Sequence, residues 1–251
     1  RERRKKEFSI LSATSAYCGE ILLRRSKVDL SRGWIAVIEG LPYILKGVWV
    51  TMTVVAGALA VGMMLGILLS IAQVYGNRFL RRIVGVYVWF FRGIPLLVLL
   101  FLFYFGLLTA LEIELSPFTV SIIVLGLISS AYQSQILRGA ILSLPQGQLK
   151  AARAIGMSDR EAIVFIILPQ ALRLAIPGWT NEYTIIMKDS AVTYALGVAE
   201  IMARANHVAS RTYQHFWIYI LAGFIFLALT YIGTRLLHLL ENRVAIKGYV
   251  R

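Results

Sequence analysis

Charged and polar side chains set inside long apolar stretches are the residues of this chain that could act chemically. They are Arg92, which is followed by Gly93 and Pro95, and a later group made of Asn181, Glu182, Lys188, Asp189 and Ser190. Ionisable residues inside a membrane are costly and are functional candidates by default. The sequence therefore predicts that these residues line a polar route through a membrane.

Some of these positions also fit simpler roles. Lys188 and Asp189 could lie at a membrane surface and pair with water or with each other. Arg92 could be a structural partner of Glu182 or of a helix-end carbonyl, because Pro95 interrupts a helix and frees backbone groups nearby. The residue types alone do not decide between these roles.

Motifs for several other kinds of chemistry are missing from the sequence. A phosphate-binding loop needs Gly-x-x-x-x-Gly-Lys-Ser/Thr, and no Lys in this chain follows a Gly. The three His residues lack a metal-ligand spacing, and Cys18 is the only cysteine. The hydrolase motifs Gly-x-Ser-x-Gly and His-Glu-x-x-His are absent as well. We therefore expect a chain that is not itself catalytic and that holds no metal and no cofactor.

A polar segment interrupts the apolar pattern between residues 147 and 165. Four small residues in it, Ala151, Ala152, Ala154 and Gly156, leave little bulk, so another protein could approach closely. Ser158-Asp-Arg-Glu161 has the spacing of a capping box and predicts the start of a second short helix. A plain connection has a median of about 4–6 residues, so this longer helix-turn-helix is predicted to contact a soluble partner.

Composition places the chain in a membrane. Of its 251 residues, 58% are hydrophobic and 16% are charged, with a mean hydropathy of +0.71. Soluble domains carry about half apolar and about a quarter charged residues. On such a chain the net charge of +13 is better explained by topology and anionic lipid than by nucleic acid.

Five stretches are long and apolar enough to cross a bilayer as helices. Their approximate bounds are 48–74, 83–111, 117–137, 163–187 and 216–240. An odd number of spans puts the three basic segments after spans one, three and five on one side, which we expect to be cytoplasmic. The basic N-terminal tail then lies outside, against the usual charge rule, unless it folds back or residues 8–23 form a surface helix.

The polar segment resembles the "EAA loop" of ABC importer permeases, which reads Glu-Ala-Ala, a Gly four residues on, and then Ile-x-Leu-Pro. The matching residues here are Lys150-Ala151-Ala152, Gly156 and Ile166-Ile167-Leu168-Pro169. Further matches to the polar amino acid subfamily are Phe91-Arg92-Gly93-Ile94-Pro95-Leu96-Leu97, Pro169-Gln170-Ala171-Leu172-Arg173, Asn181-Glu182 and Lys188-Asp189-Ser190. The resemblance covers roughly residues 40 to 245.

The resemblance implies an all-helical type I ABC importer transmembrane domain with about five transmembrane helices. The domain would span residues 41–245 and include a coupling loop at about 143–165. A basic tail (1–40) would precede it and a short tail (246–251) would follow. The chain would lie in the cell (inner) membrane, with its N-terminus outside and its C-terminus in the cytoplasm.

The same resemblance implies partners and site residues. Lys150, Ala151, Ala152, Gly156, Leu168 and Pro169 would dock on a separate ATPase subunit, which would hold ATP and Mg. Arg92, Gly93, Pro95, Asn181, Glu182, Lys188, Asp189 and Ser190 would line the substrate pathway. A second permease subunit and a periplasmic or lipid-anchored amino acid binding protein would complete the importer.

The chain departs from the family pattern at four positions. Lys150 and Gln135 stand where Glu is usual, and Ile94 and Leu99 replace Thr and Gln. If Ile94 and Leu99 face the pathway, this half-site would suit an apolar side chain or bind nothing, because neither can hydrogen-bond a zwitterion. We therefore favour a heterodimer of permeases over a homodimer. If both residues face lipid or a neighbouring helix, the exchange is silent.

Two other functions remain open from the sequence. A secondary transporter would need inverted repeats, and no convincing internal repeat is present. A non-transporting assembly protein would have no ATPase partner. Copurification with an ATPase subunit separates the three possibilities.

Overall fold

The described part of the protein, residues 30–145 and 147–244 of a computed structural model, is helical and contains no strand. The helices are α1 (Leu30–Tyr75), α2 (Arg78–Gly93), α3 (Leu96–Phe101), α4 (Pro117–Ser143), α5 (Gly147–Ala154), α6 (Asp159–Ala162), α7 (Leu168–Asp189), α8 (Ile201–Thr212) and α9 (His215–Val244). Two π-helical segments, Leu102–Leu108 and Ile163–Ile167, and a 3₁₀ segment, Ser190–Leu196, continue α3, α6 and α7. The predicted all-helical fold is confirmed.

Four helical segments are long and apolar enough to cross a membrane, and a bent pair makes up to five. Three of them contain the predicted first, third and fifth spans, as Arg32–Tyr75, Pro117–Ser143 and His215–Val244. The fourth, Asp159–Leu196, contains the predicted span at 163–187 and begins inside the coupling loop. The chain is therefore embedded in a membrane by several spans.

The predicted second span, 83–111, is instead a pair of helical segments, Arg78–Gly93 and Leu96–Leu108, with a bend of 107° between them. Pro95 lacks a backbone N–H and disfavours helical geometry in the residue before it. Ile94 accordingly has φ −100° and ψ 135°, outside the helical region. The sequence placed Pro95 inside one crossing, whereas the structure uses it to end α2 and start α3.

Helix α1 begins far earlier than the predicted span. It holds 46 residues, which at the rise of an α-helix is about 69 Å, against about 30 Å for the hydrocarbon core. Residues 30–40, assigned from sequence to the tail, belong to this helix. The proposed surface helix at 8–23 and Cys18 lie outside the described residues.

Helix α4 is the centre of the bundle. Fourteen of its 27 residues are buried, because it packs on α1, α7 and α2. Glycines allow the close approach: a Cβ on Gly62 would lie 2.7 Å from Ser129 Oγ, and one on Gly178 would overlap the Ile136 side chain. Such small-residue contacts are how helices associate in lipid.

The first half of α1 packs on α8 and on the start of α9. Ala36, Ile44, Ile201, Val208 and Ile218 belong to one buried cluster there. The other end of α1 lies beside the coupling loop, where Tyr75 and Leu149 line the same cavity. Helix α8 and the coupling loop are therefore at opposite ends of the bundle.

Candidate functional site: the coupling loop and the polar face of α7

The turn between α5 and α6 is built on Gly156. Its φ of 88° lies in the left-handed region, which glycine enters without strain from a Cβ. The Gly156 N–H donates to the Arg153 carbonyl at 3.0 Å, and the Met157 N–H donates to the Ala152 carbonyl at 3.1 Å. Gly156 thus ends the first short helix and reverses the chain toward the second.

The second short helix starts with the predicted capping box, which is confirmed. The Glu161 N–H donates to Ser158 Oγ at 3.3 Å, and the Ser158 N–H donates to Glu161 Oε2 at 2.8 Å. Arg153 on α5 donates twice to Asp159 on α6, at 2.6 and 2.8 Å. These bonds fix α5 and α6 relative to each other.

The small residues of α5 do not all face outward. Ala152 is only 2% exposed and is the buried residue of a helix that packs on α6 and the Ile163–Ile167 segment. The prediction that Ala152 offers a docking surface is therefore wrong, because the loop's own packing covers it. Ala151 and Ala154 are exposed, and Ile155 is 77% exposed at the tip.

The base of the loop is tied to α7. Leu168 and Pro169 begin that helix, with Pro169 in its first turn, where a missing N–H costs nothing. Gln148 and Gln170 exchange two amide hydrogen bonds, at 3.0 and 2.9 Å. This pair joins α5 to α7 and was not predicted, since nothing in the sequence indicates that Gln148 contacts Gln170.

Lys150 stands on the exposed side of α5. It lines a cavity of about 280 Å³ together with Tyr75, Leu142 and Arg153. A second cavity, of about 620 Å³, shares Tyr75 and Arg153 and adds Arg160. The rim of both cavities is therefore basic and their floor is mostly apolar.

One face of α7 is polar and exposed although the helix belongs to a membrane span. At about 100° per residue, its members fall within roughly 80° of one another around the helix axis. They are Arg173, Pro177, Asn181 and Lys188, which are exposed, and Thr184, which is half-buried. Side chains of this kind are costly against hydrocarbon, so this polar face of α7 must meet water or protein.

Glu182 lies on the opposite side of α7 and is 1% exposed. Ser129 Oγ on α4 donates to Glu182 Oε1 at 2.7 Å. Gln133 Nε2 donates to Ser129 Oγ at 3.0 Å and to the Leu59 carbonyl of α1 at 3.1 Å. Glu182, predicted to line the pathway, therefore closes a polar network inside the bundle, between α7, α4 and α1.

Arg92 and Tyr132 form a cation–π contact. The guanidinium carbon lies 4.7 Å from the ring centroid, and the arginine is exposed at the end of α2. Among the described residues, Arg92 makes no ion pair with Glu182. Gly93 and Pro95 next to it form the bend between α2 and α3.

The outer end of α7 is only partly open. Lys188 is exposed and Asp189 is half-buried. Ser190 is fully buried, and its Oγ donates to the Met187 carbonyl at 2.8 Å. Lys188 is therefore the member of the predicted trio with the most exposed side chain.

Ile94 and Leu99 belong to the chain's own core. Leu99 is 0% exposed and packs with Phe91, Val120 and Val124, and Ile94 is partly buried against the same cluster. The half-site argument required both residues to face the pathway, and in this structure both pack on an internal cluster instead. The sequence argument for a heterodimer loses its basis, because Leu99 lies inside the chain's own core and Ile94 packs on the same cluster.

The described residues contain no group of three or more His, Cys, Asp or Glu side chains that could hold a metal ion. Neither the coupling loop nor the polar face of α7 thus offers a metal-ligand set of that kind in this part of the chain. What the two regions offer is an exposed surface on the short helices at one end of the bundle and a row of exposed polar residues along a membrane-spanning helix.

Comparison with known proteins agrees with this geometry. Residues 58–246 match the family described as "Binding-protein-dependent transport system inner membrane component". A probable amino-acid ABC transporter permease of Vibrio harveyi, PatM, is 33% identical over 217 residues, which cover 86% of this chain and 97% of the relative. The arginine transport system permease ArtQ of Bacillus subtilis (strain 168) is 34% identical, over 79% of this chain and 92% of the relative.

A solved structure shares the fold as well. The crystal structure of an amino acid ABC transporter with histidines superposes with a TM-score of 0.75 at 30% identity, over 83% of this chain and 97% of that one. The family match at residues 58–246 contains α1 from Ala58 onward and all the later helices, α2 to α9. The chain belongs to the family of inner membrane components of binding-protein-dependent transport systems.

Proposed function

We propose that this chain is the membrane-spanning subunit of an ATP-driven amino acid importer and that the polar face of α7 lines its translocation pathway. That face is the observation that carries the proposal. Arg173, Asn181 and Lys188 are exposed along one side of a spanning helix, where lipid would be a costly neighbour. Relatives named as amino-acid and arginine permeases support the substrate class.

Arg92, Gly93 and Pro95 are proposed to form a second wall of the pathway. The bend at Pro95 leaves Gly93 exposed at the end of α2, and Arg92 is held over Tyr132. An exposed guanidinium suits the carboxylate of an amino acid. Among the predicted pathway residues Glu182 and Ser190 are buried, so we assign them to the support of α7.

The energy is proposed to come from a separate ATPase subunit, which would bind ATP and Mg. The exposed residues Lys150, Ala151 and Ile155 of the coupling loop would dock on it, and Gly156, Leu168 and Pro169 would hold the loop in position. The chain itself would then carry out no reaction. A binding protein would deliver the amino acid at the opposite end of the bundle, near α8.

A second permease subunit is proposed to cover the polar face of α7, because the described part of this chain leaves that face open. With Ile94 and Leu99 inside the core, nothing in the pathway requires the second subunit to differ. Two copies of this chain about a two-fold axis are the simpler assembly.

The test is transport by the reconstituted complex. Asn181→Leu is expected to lower substrate uptake by roughly tenfold, because losing one polar contact costs about 1–3 kcal/mol. Thr230→Leu, a similar change on α9, serves as the control and should leave uptake within about twofold. Equal uptake by the wild type and Asn181→Leu would contradict the pathway, and uptake without any ATPase would support a secondary transporter instead.

A further inference from the structure

The coupling loop uses both of its acidic residues internally. Asp159 accepts two hydrogen bonds from Arg153, at 2.6 and 2.8 Å. Glu161 accepts from the Ser158 N–H and from Ser158 Oγ, at 2.8 and 2.7 Å. Both carboxylates are therefore engaged within the loop, and in this structure neither pairs with its two remaining cations, Lys150 and Arg160.

Lys150 is the cation best placed to meet a docked protein. It is exposed on α5, directly before the exposed Ala151. Within residues 30–145 and 147–244, no hydrogen bond or ion pair reaches its ammonium group. Arg160 likewise has no side-chain partner in that part of the chain and stands beyond Arg153 along the same basic rim.

A protein that covers this surface must compensate the positive charge of Lys150 as water is removed from it. An ammonium group that loses its water without gaining an anion is costly to bury. Asp159 is held by two hydrogen bonds from Arg153, so it does not turn to Lys150. Repulsion between the two unpaired cations, Lys150 and Arg160, would grow as water is excluded. The chemistry of the surface therefore favours a partner that brings a carboxylate to Lys150.

We infer that the ATPase subunit presents an Asp or Glu side chain to Lys150 when it docks on the coupling loop. This inference rests on the proposed function, because it names the contact that the ATPase would make there. The pair fixes the register of the docked loop and disfavours ATPase subunits that present a cation at that point.

The test compares charge variants of Lys150 in the intact complex. The chain is coexpressed with the ATPase subunit of the same transporter and purified through a tag on the permease. The amount of ATPase per permease is measured at about 0.05 M and about 0.5 M salt, since exposed charges are strongly screened at the higher value. Lys150→Arg keeps the charge, and Arg211→Glu on α8 is the control at the other end of the bundle.

The expected order of ATPase affinity is wild type and Lys150→Arg, then Lys150→Ala, then Lys150→Glu. Loss of an exposed pair is expected to weaken docking about two- to fivefold, and reversal of the charge about tenfold or more at low salt. Replacing the facing carboxylate of the ATPase by Lys should restore binding to Lys150→Glu, and Arg211→Glu should have no effect.

Two results would overturn the inference alone. One is full retention of the ATPase by Lys150→Glu, and the other is the same loss for Lys150→Ala and Lys150→Glu with no salt dependence. If the wild-type chain itself retains no ATPase under any salt condition, the proposed function fails and this inference fails with it.

Discussion

At the residue scale, the buried network around Glu182 separates support from transport. A carboxylate on a membrane-spanning helix is a functional candidate by default. The Glu182 carboxylate, however, faces α4 and accepts a hydrogen bond from Ser129 Oγ at 2.7 Å. Asn181, its neighbour in sequence, is exposed on the other side of the helix. One turn of α7 thus presents a structural acid inward and a polar amide outward.

That division predicts the effect of changing Glu182. Glu182→Leu should lower the stability of the chain in detergent by about 1–3 kcal/mol, because the Ser129 hydroxyl and the Gln133 amide lose the end of their network. Glu182→Gln keeps an oxygen that can accept and should cost less. Thermal unfolding followed by helical circular dichroism measures both, and equal stability of all three proteins would contradict a structural role.

At the element scale, the loop between α5 and α6 depends on one backbone conformation. The space around Gly156 is open, since a Cβ there would meet nothing within 4 Å. Any effect of a substitution therefore comes from its φ of 88° and not from a clash. A non-glycine residue in this region costs about 1–2 kcal/mol.

Gly156→Val is accordingly expected to insert normally in the membrane but to misplace α6, because the β-branched residue resists the left-handed turn. ATPase retention should fall about fivefold or more, and Gly156→Asn, which tolerates this conformation better, should fall less. The measurement is the ratio of the two subunits after purification. Equal losses for Val and Asn would show that the conformation of the turn does not matter.

The sequence predicted the helices and the turn of the coupling loop well, but it predicted poorly which side chains are buried. The capping box at Ser158 and the turn at Gly156 need only neighbouring residues, so they could be recognised from spacing. The burial of Ala152 and Glu182 depends on which helices pack against them, and a single sequence does not contain that information. The polar face of α7 did leave a signal, since Arg173, Pro177 and Asn181 recur every four residues.

At the scale of the whole molecule, the bundle has two chemically different ends. One carries the coupling loop and its basic rim. The other end carries α8, the first half of α1 and the connection between the Leu102–Leu108 segment and α4. Glu112 and Glu114 in that connection line a cavity of about 610 Å³. Helix α4 runs from that connection to the coupling loop and separates the two ends by about 40 Å over its 27 residues.

This arrangement predicts opposite accessibility for two engineered cysteines, after Cys18 has been replaced. A cysteine at Arg160 should react with a membrane-impermeant reagent only from the cytoplasm, and one at Glu114 only from outside. The basic segments at the coupling end supply the reason, because positively charged loops stay inside. Labelling of both positions from the same side would contradict the arrangement of α4 between them.

Three glycines of α1 recur every seven residues along its contact with α8 and α9. A Cβ would overlap the Trp217 ring at Gly33, lie 2.8 Å from Val208 Cγ1 at Gly40, and lie 2.7 Å from the Ile201 backbone nitrogen at Gly47. A tryptophan or a valine can rotate away, but a backbone atom cannot. Mutational tolerance should therefore fall along this series and vanish at Gly47, where selection would remove even alanine, whose single methyl group has no room.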